Sequence, residues 1–112
     1  MDQDTQQTTR RGMLAGGNWI IDQVKMIDVY PKHENLANIH GQSQGSGGSP
    51  YNVLLDLAKM GAEFPLQGAG LVGKDALGQY ILDDCRRNGI DPKFIAVNED
   101  ALTSYTDVMT EK

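Results

Sequence analysis

Cysteine occurs once, at Cys85, so no internal disulfide framework can staple this chain and a reducing, cytoplasmic setting is expected. No apolar run approaches the length that spans a bilayer. Histidine is also scarce. His33 and His40 have no carboxylate or cysteine cluster at metal-ligand spacing, so they read as surface residues. Basic residues are outnumbered, with 10 Lys and Arg against 15 Asp and Glu. The resulting net charge of −5 argues against nucleic acid or an anionic membrane as the main partner, although a local site can still be positive. No repeat of useful period is present. At 112 residues there is room for one small domain with a modest core.

The N-terminus holds one misleading signal. Thr9-Arg10-Arg11-Gly12-Met13-Leu14 looks like a twin-arginine export signal, which needs a continuous apolar region next. Asn18, Asp22, Gln23 and Lys25 interrupt that region, so export is not expected. Residues 1–12 read as a disordered tail and residues 13–112 as the folded part.

Two apolar patches, Met13-Leu14-Ala15 and Trp19-Ile20-Ile21, predict one buried strand ending near Asp22. Val24 to Val29 and Leu36 to Ile39 suggest two short strands around a turn at Tyr30-Pro31-Lys32-His33-Glu34-Asn35. The Gly, Ser and Gln tract from Gly41 to Gly48 has a linker's composition. It leads, however, to Ser49, a good N-cap, and Pro50, which suits a first helical position. Val53, Leu54, Leu57, Ala58 and Met60 then give an apolar helix face, and Gly61 a stop. Phe64 to Val72 is an irregular strand candidate. Asp75 caps a second helix with Leu77, Ile81 and Cys85 on one face, stopped by Gly89. Phe94 to Val97 and Ser104 to Thr110 are extended. The order β, ββ, α, β, α, β, β indicates an α/β domain with an early strand pair.

Several of these segments, in this order, resemble the PfkB family of ribokinase-like carbohydrate kinases. Gly17, Asp22 and Pro31 are similar to the family's first strand and lid entrance. Gly47-Gly48-Ser49-Pro50-Tyr51-Asn52 resembles its Gly-Gly signature, with Asn one turn into a helix. Leu57-Ala58-Lys59-Met60-Gly61-Ala62 looks like that helix's ending. Gly73-Lys74-Asp75-Ala76-Leu77-Gly78 is similar to a "G-x-D-x-x-G" turn, Asn88-Gly89-Ile90-Asp91 to a helix stop, and Thr103-Ser104 to a lid-strand start. The chain departs from the pattern at Leu54, where the family has a small residue, and at Gly68-Ala69-Gly70-Leu71, which carries about two extra residues.

The resemblance implies the N-terminal half of a ribokinase-like fold: a mostly parallel sheet with flanking helices and a small β-lid from about 23–45 and 103–110. It implies an ATP- and Mg²⁺-dependent enzyme phosphorylating a hydroxyl of a sugar or nucleoside. The family's "GAGD" anion hole and aspartate base have no counterpart here, because Leu71 follows Gly68-Ala69-Gly70. The chain also ends at Lys112 inside an apparent strand, so it is expected to stop before the catalytic half. On this reading it is inactive alone and binds neither ATP nor Mg²⁺. A homo-oligomer is expected, through the lid or an exposed truncation surface.

The resemblance implies substrate-binding roles for four residues. Asp22 would accept hydrogen bonds from hydroxyls, as an ionised carboxylate does; the plainer reading is a turn residue after a strand. Gly47 and Gly48 would let backbone pack against the sugar; the alternative is a flexible loop. Asn52 donates and accepts, which suits vicinal hydroxyls; otherwise it is a helix-surface residue. Trp19 and Tyr51 fit either a stacking wall or the core. Cys85 reads as a core residue, and Asp83-Asp84 with Arg86-Arg87 as a solvated helix face. Uncharged residues around Gly48 favour an acceptor without phosphate.

Two other functions fit less of the sequence. One is a non-catalytic carbohydrate-binding or dimerisation module. The other is nucleotide binding by the 41–48 tract, which carries neither a Gly-x-Gly-x-x-Gly nor a Walker pattern.

Overall fold

Two three-stranded sheets divide the strands of this chain, whose computed structural model describes residues 10–111. The first nine residues of the expected tail lie outside the described residues, while Arg11 donates to the Glu63 carbonyl at 2.8 Å. In chain order the elements are β1 (Met13–Gly16), β2 (Ile20–Ile27), β3 (Ile39–Gly47), α1 (Ser49–Lys59), β4 (Leu66–Gly73), α2 (Ala76–Arg87), β5 (Asp91–Asn98) and β6 (Tyr105–Glu111). The main sheet runs β1-β4-β5 and is wholly parallel. The second runs β3-β2-β6, with β2 antiparallel to β3 and parallel to β6. This is the α/β architecture expected, a parallel sheet with flanking helices beside a small separate sheet.

The expected single strand from Met13 to Asp22 is two strands in different sheets. The chain turns at Gly16-Gly17-Asn18, where Gly17 has φ 144°. β1 is an edge strand and is not buried, with Leu14 57% exposed. Trp19, by contrast, is 2% exposed. A Cβ on Gly68 would lie 2.5 Å from its indole, and one on Gly70 would collide with it, so the two glycines of β4 form its seat. Trp19 Nε1 donates to the Ala69 carbonyl between them at 2.8 Å, pairing its polar edge in the core. Gly68 to Gly73 spells Gly-x-Gly-x-x-Gly, yet it lies within a strand and seats an indole instead of opening a phosphate loop.

The Gly41–Gly47 tract is strand, not linker, because antiparallel pairing with β2 supplies the order its composition lacks. The turn between β2 and β3 is longer than expected, closed by Asn38 donating to both oxygens of Asp28, and Leu36 on it is 93% exposed. Phe64 also falls outside its expected strand.

Both helices stop where glycine was expected to stop them. Gly61 (φ 80°) follows the cap Met60, with Ala62 N bonding Leu57 O and Gly61 N bonding Ala58 O. Gly89 (φ 75°) follows Asn88 with the same crossed pair, Ile90 N to Cys85 O and Gly89 N to Arg86 O. These are Schellman closures. The start of α1 differs from expectation, since Gly48, not Ser49, is the N-cap and no side chain caps it. The core joins Trp19, Ile21, Tyr51, Leu54, Leu66, Val72, Ile81, Cys85, Ile90 and Ile95. Val53 and Met60, expected on the buried face of α1, are exposed, and Tyr51 and Leu55 turn inward instead. Among the described residues no helix is long and apolar enough to cross a membrane.

Candidate functional site

Asp22 lies in the middle strand of the second sheet, opposite Gly45 of β3 and Thr106 of β6. Its side chain reaches along the strand to Gly47, where an added Cβ would stand 2.5 Å from Oδ2. Glycine at 47 therefore leaves the space that the carboxylate fills. The next residue, Gly48, has φ 102° and ψ 150°, and a Cβ there would collide with the Asn18 carbonyl. Only glycine meets both demands without strain. Asn52 N donates to Gly48 O at 3.0 Å, the first helical bond, and the Asn52 residue is exposed on that first turn. Asp22 and Gly47 thus meet directly, Gly48 follows at the helix start, and Asn52 stands one turn further on.

Beside this helix start a cavity of about 370 Å³ opens beyond the C-terminal ends of the three parallel strands. Gly17, Asn18, Trp19, Asn98, Thr103 and Ser104 contribute to its wall. None of the four sequence-predicted residues lines it. The two places share the Gly17-Asn18 connection, which packs on Gly48 and Pro50 on one side and lines the cavity on the other. Ile21 N also donates to Ser104 O at 3.1 Å, setting the cavity rim one residue from Asp22. Open parallel sheets bind ligands at this end of their strands, and the volume is near the lower end of small-molecule sites.

Asn18 and Asn98 at the cavity and Thr106 opposite Asp22 were not among the sequence-predicted site residues. Thr106 reaches Asp22 only through the parallel register of β2 and β6, for which the sequence holds no local signal. Trp19 is both core and cavity wall, whereas Tyr51 belongs to the core, its hydroxyl donating to Asp84 Oδ2 at 2.6 Å. Asp84 was expected on a solvated face, but its side chain is 14% exposed and also bonds Arg87 at 2.9 Å. Burial pushes its carboxyl up, yet the hydrogen bonds from Tyr51 and Arg87 and the charge of Arg87 outweigh that and hold it below the usual carboxylate range. Asp83 does pair at the surface with Arg86.

Cys85 is fully buried, and burial pushes its thiol up to about 11, the state of an unreactive core residue. His33 and His40 are exposed, and no three His, Cys, Asp or Glu side chains converge among the described residues.

A family model described as pfkB family carbohydrate kinase matches residues 17–112. No curated protein matches the chain. Among solved structures, the ribokinase of Arabidopsis thaliana complexed with ribose and ATP aligns with TM-score 0.77 at 18% identity, over 92% of this chain and 33% of that one. The nucleoside kinase of Methanocaldococcus jannaschii aligns with TM-score 0.77 at 17% identity, over 90% and 33%. The ribokinase of Cryptococcus neoformans var. grubii serotype A in complex with ADP aligns with TM-score 0.75 at 17% identity, over 91% and 31%. At such identities the likeness is one of fold, and the chain spans about a third of the length of these structures.

Proposed function

The chain belongs to the pfkB family of carbohydrate kinases, and from that premise we propose that it supplies the acceptor-binding part of an ATP-dependent sugar or nucleoside kinase. The observation that carries this reading is the corner where the Asp22 carboxylate packs over Gly47 while Gly48 brings the chain into α1. A carboxylate accepts from hydroxyls, Asn52 offers both donor and acceptor, and bare glycine backbone permits close approach. The sheet β3-β2-β6 spans the segments expected to form the lid, and in this reading it covers the acceptor, orienting it and excluding water. The acceptor is a sugar or nucleoside without phosphate, because Ser49, Pro50 and Tyr51 after Gly48 carry no positive charge.

Bound ATP with Mg²⁺ would supply the phosphoryl group and neutralise its charge. No transfer step and no catalytic base are assigned to this chain's residues, because Leu71 follows Gly68-Ala69-Gly70 where the family's motif has aspartate. In this reading the protein is cytoplasmic, in keeping with its single buried thiol, and self-associates through β6, an exposed edge strand among the described residues.

An acceptor panel tests the reading. Calorimetric titration of the 112-residue chain should show D-ribose, D-fructose or adenosine binding better than the matching phosphates, with no phosphoryl transfer from ATP. A preference for a phosphorylated acceptor, or turnover above background, would contradict it.

A further inference from the structure

Beyond capping α2 through Asp75, the Gly73-x-Asp75-x-x-Gly78 turn converges on one residue elsewhere in the chain. Thr103 Oγ donates to Asp75 Oδ1 at 2.6 Å, and Thr103 N donates to Asp75 Oδ2 at 2.9 Å. Gly73 N donates to Thr103 Oγ at 2.8 Å, and Gly78 N donates to Asp75 Oδ1 at 2.8 Å. Both glycines make room for the same segment. A Cβ on Gly73 would lie 2.5 Å from Ala101 O and 2.6 Å from Thr103 N, and one on Gly78 would lie 2.9 Å from Thr103 Oγ. Thr103 is 4% exposed, a buried polar residue whose hydroxyl is satisfied as both donor and acceptor.

We propose that Gly73, Asp75 and Gly78 form a socket for Thr103, and that the socket positions the acceptor site by fixing where β6 begins. Among the described residues β6 is an edge strand; it pairs with β2 along its length, Lys25 ties Asp107 and the Tyr30 hydroxyl donates to the Met109 carbonyl, and every residue of it is exposed. Those side-chain ties are open to water, whereas the root at Thr103 is buried, so the root is the anchor that water competes with least. The register with β2 brings Thr106 opposite Asp22, three residues beyond the socket. Gly73, Thr103 and Ser104 also line the cavity, so a shift of the root would deform its wall. An exposed edge strand opens locally, with a free energy to which its buried anchor contributes. The binding consequence rests on the acceptor-site reading above; the mechanical one does not.

The test compares Thr103→Val, which keeps shape and loses the hydroxyl, with Thr103→Ser, which restores it, and with Asp75→Asn as a second disruption. Amide hydrogen exchange on the 112-residue chain reads the root directly. Losing a charge-assisted bond should speed exchange of the β6 amides paired with β2 by roughly tenfold or more in Thr103→Val and Asp75→Asn. Amides in α2 and β5 should stay within about twofold, since opening of this segment is local. Thr103→Ser should return β6 to wild-type rates. Affinity for whichever of D-ribose, D-fructose or adenosine the wild type binds should fall by about tenfold with β6 and recover with serine. Unchanged β6 exchange, or equal acceleration in α2 and β5, overturns the socket. A wild type that binds none of the three probes refutes the acceptor reading, while the exchange pattern still decides the socket.

Discussion

Replacing Tyr51 by Phe removes one oxygen from the core and should cost more stability than that suggests. The hydroxyl donates to Asp84 Oδ2 at 2.6 Å, and the Asp84 side chain is 14% exposed, so water cannot fully replace the lost donor. Arg87 and Asn88 still bond the other oxygen, at 2.9 and 3.3 Å, which keeps the carboxylate partly satisfied. A hydrogen bond to a charged group contributes about 1.5–3 kcal/mol, and the surviving partners put the expected loss near 2 kcal/mol. For a domain of this size that lowers Tm by roughly 8 °C.

The pH dependence carries a second signature. Because Asp84 titrates below its unfolded value, its contribution is complete above the ordinary carboxylate pKa of about 3.9. It is lost as pH falls through the lower folded value. Tyr51 itself is pushed up by burial first, then by the bond to Asp84 and its charge, so it stays protonated at neutral pH. Tyr51→Phe should therefore flatten the loss of stability below about pH 4 as well as lowering the plateau. Urea unfolding of both proteins from pH 2.5 to 7 measures each effect. A plateau within about 0.5 kcal/mol of wild type, together with an unchanged acid slope, would refute the reasoning.

Gly48→Ala places a Cβ against the Asn18 carbonyl at φ 102°, and urea unfolding should report a loss of about 3 kcal/mol, from strain and the displaced loop together. The Asp75 carboxyl is held below the usual range by the Thr103 hydroxyl first, then by the amides of Thr103 and Gly78. Carboxyl carbon NMR should find it titrating below about 3.9, and moving back up in Thr103→Val. Its contribution to stability is accordingly present above that pH and lost as pH falls through the lower folded value.

What the sequence made legible was local. Asp75, Gly61 and Gly89 act within one turn of the chain, so capping chemistry alone located both helix ends and one helix start. Gly47, Gly48 and Asn52 sit within two turns of each other, which is why one short motif of the family resemblance could name them together. Long-range geometry was not legible. Gly48 became the N-cap because Asn18, thirty residues earlier, leaves no room for a side chain. Gly68 and Gly70 looked like an irregularity because Trp19 is far away in sequence. Strand β3 has a linker's composition and owes its order to β2. The pairing of Thr106 with Asp22, and the burial of Asp84 under Tyr51, depend on how whole elements dock.

The most direct test of the proposed acceptor site is a nitrogen–proton NMR titration of the 112-residue chain with the best-binding neutral sugar or nucleoside, for wild type and for Asp22→Ala. The expected result is a set of shifts at Asp22, Gly47, Gly48, Asn52 and Thr106, with affinity falling roughly 10- to 150-fold in Asp22→Ala, the loss of a hydrogen bond to a charged group. Shifts confined to other surfaces, or equal affinity for the two proteins, would contradict the assignment.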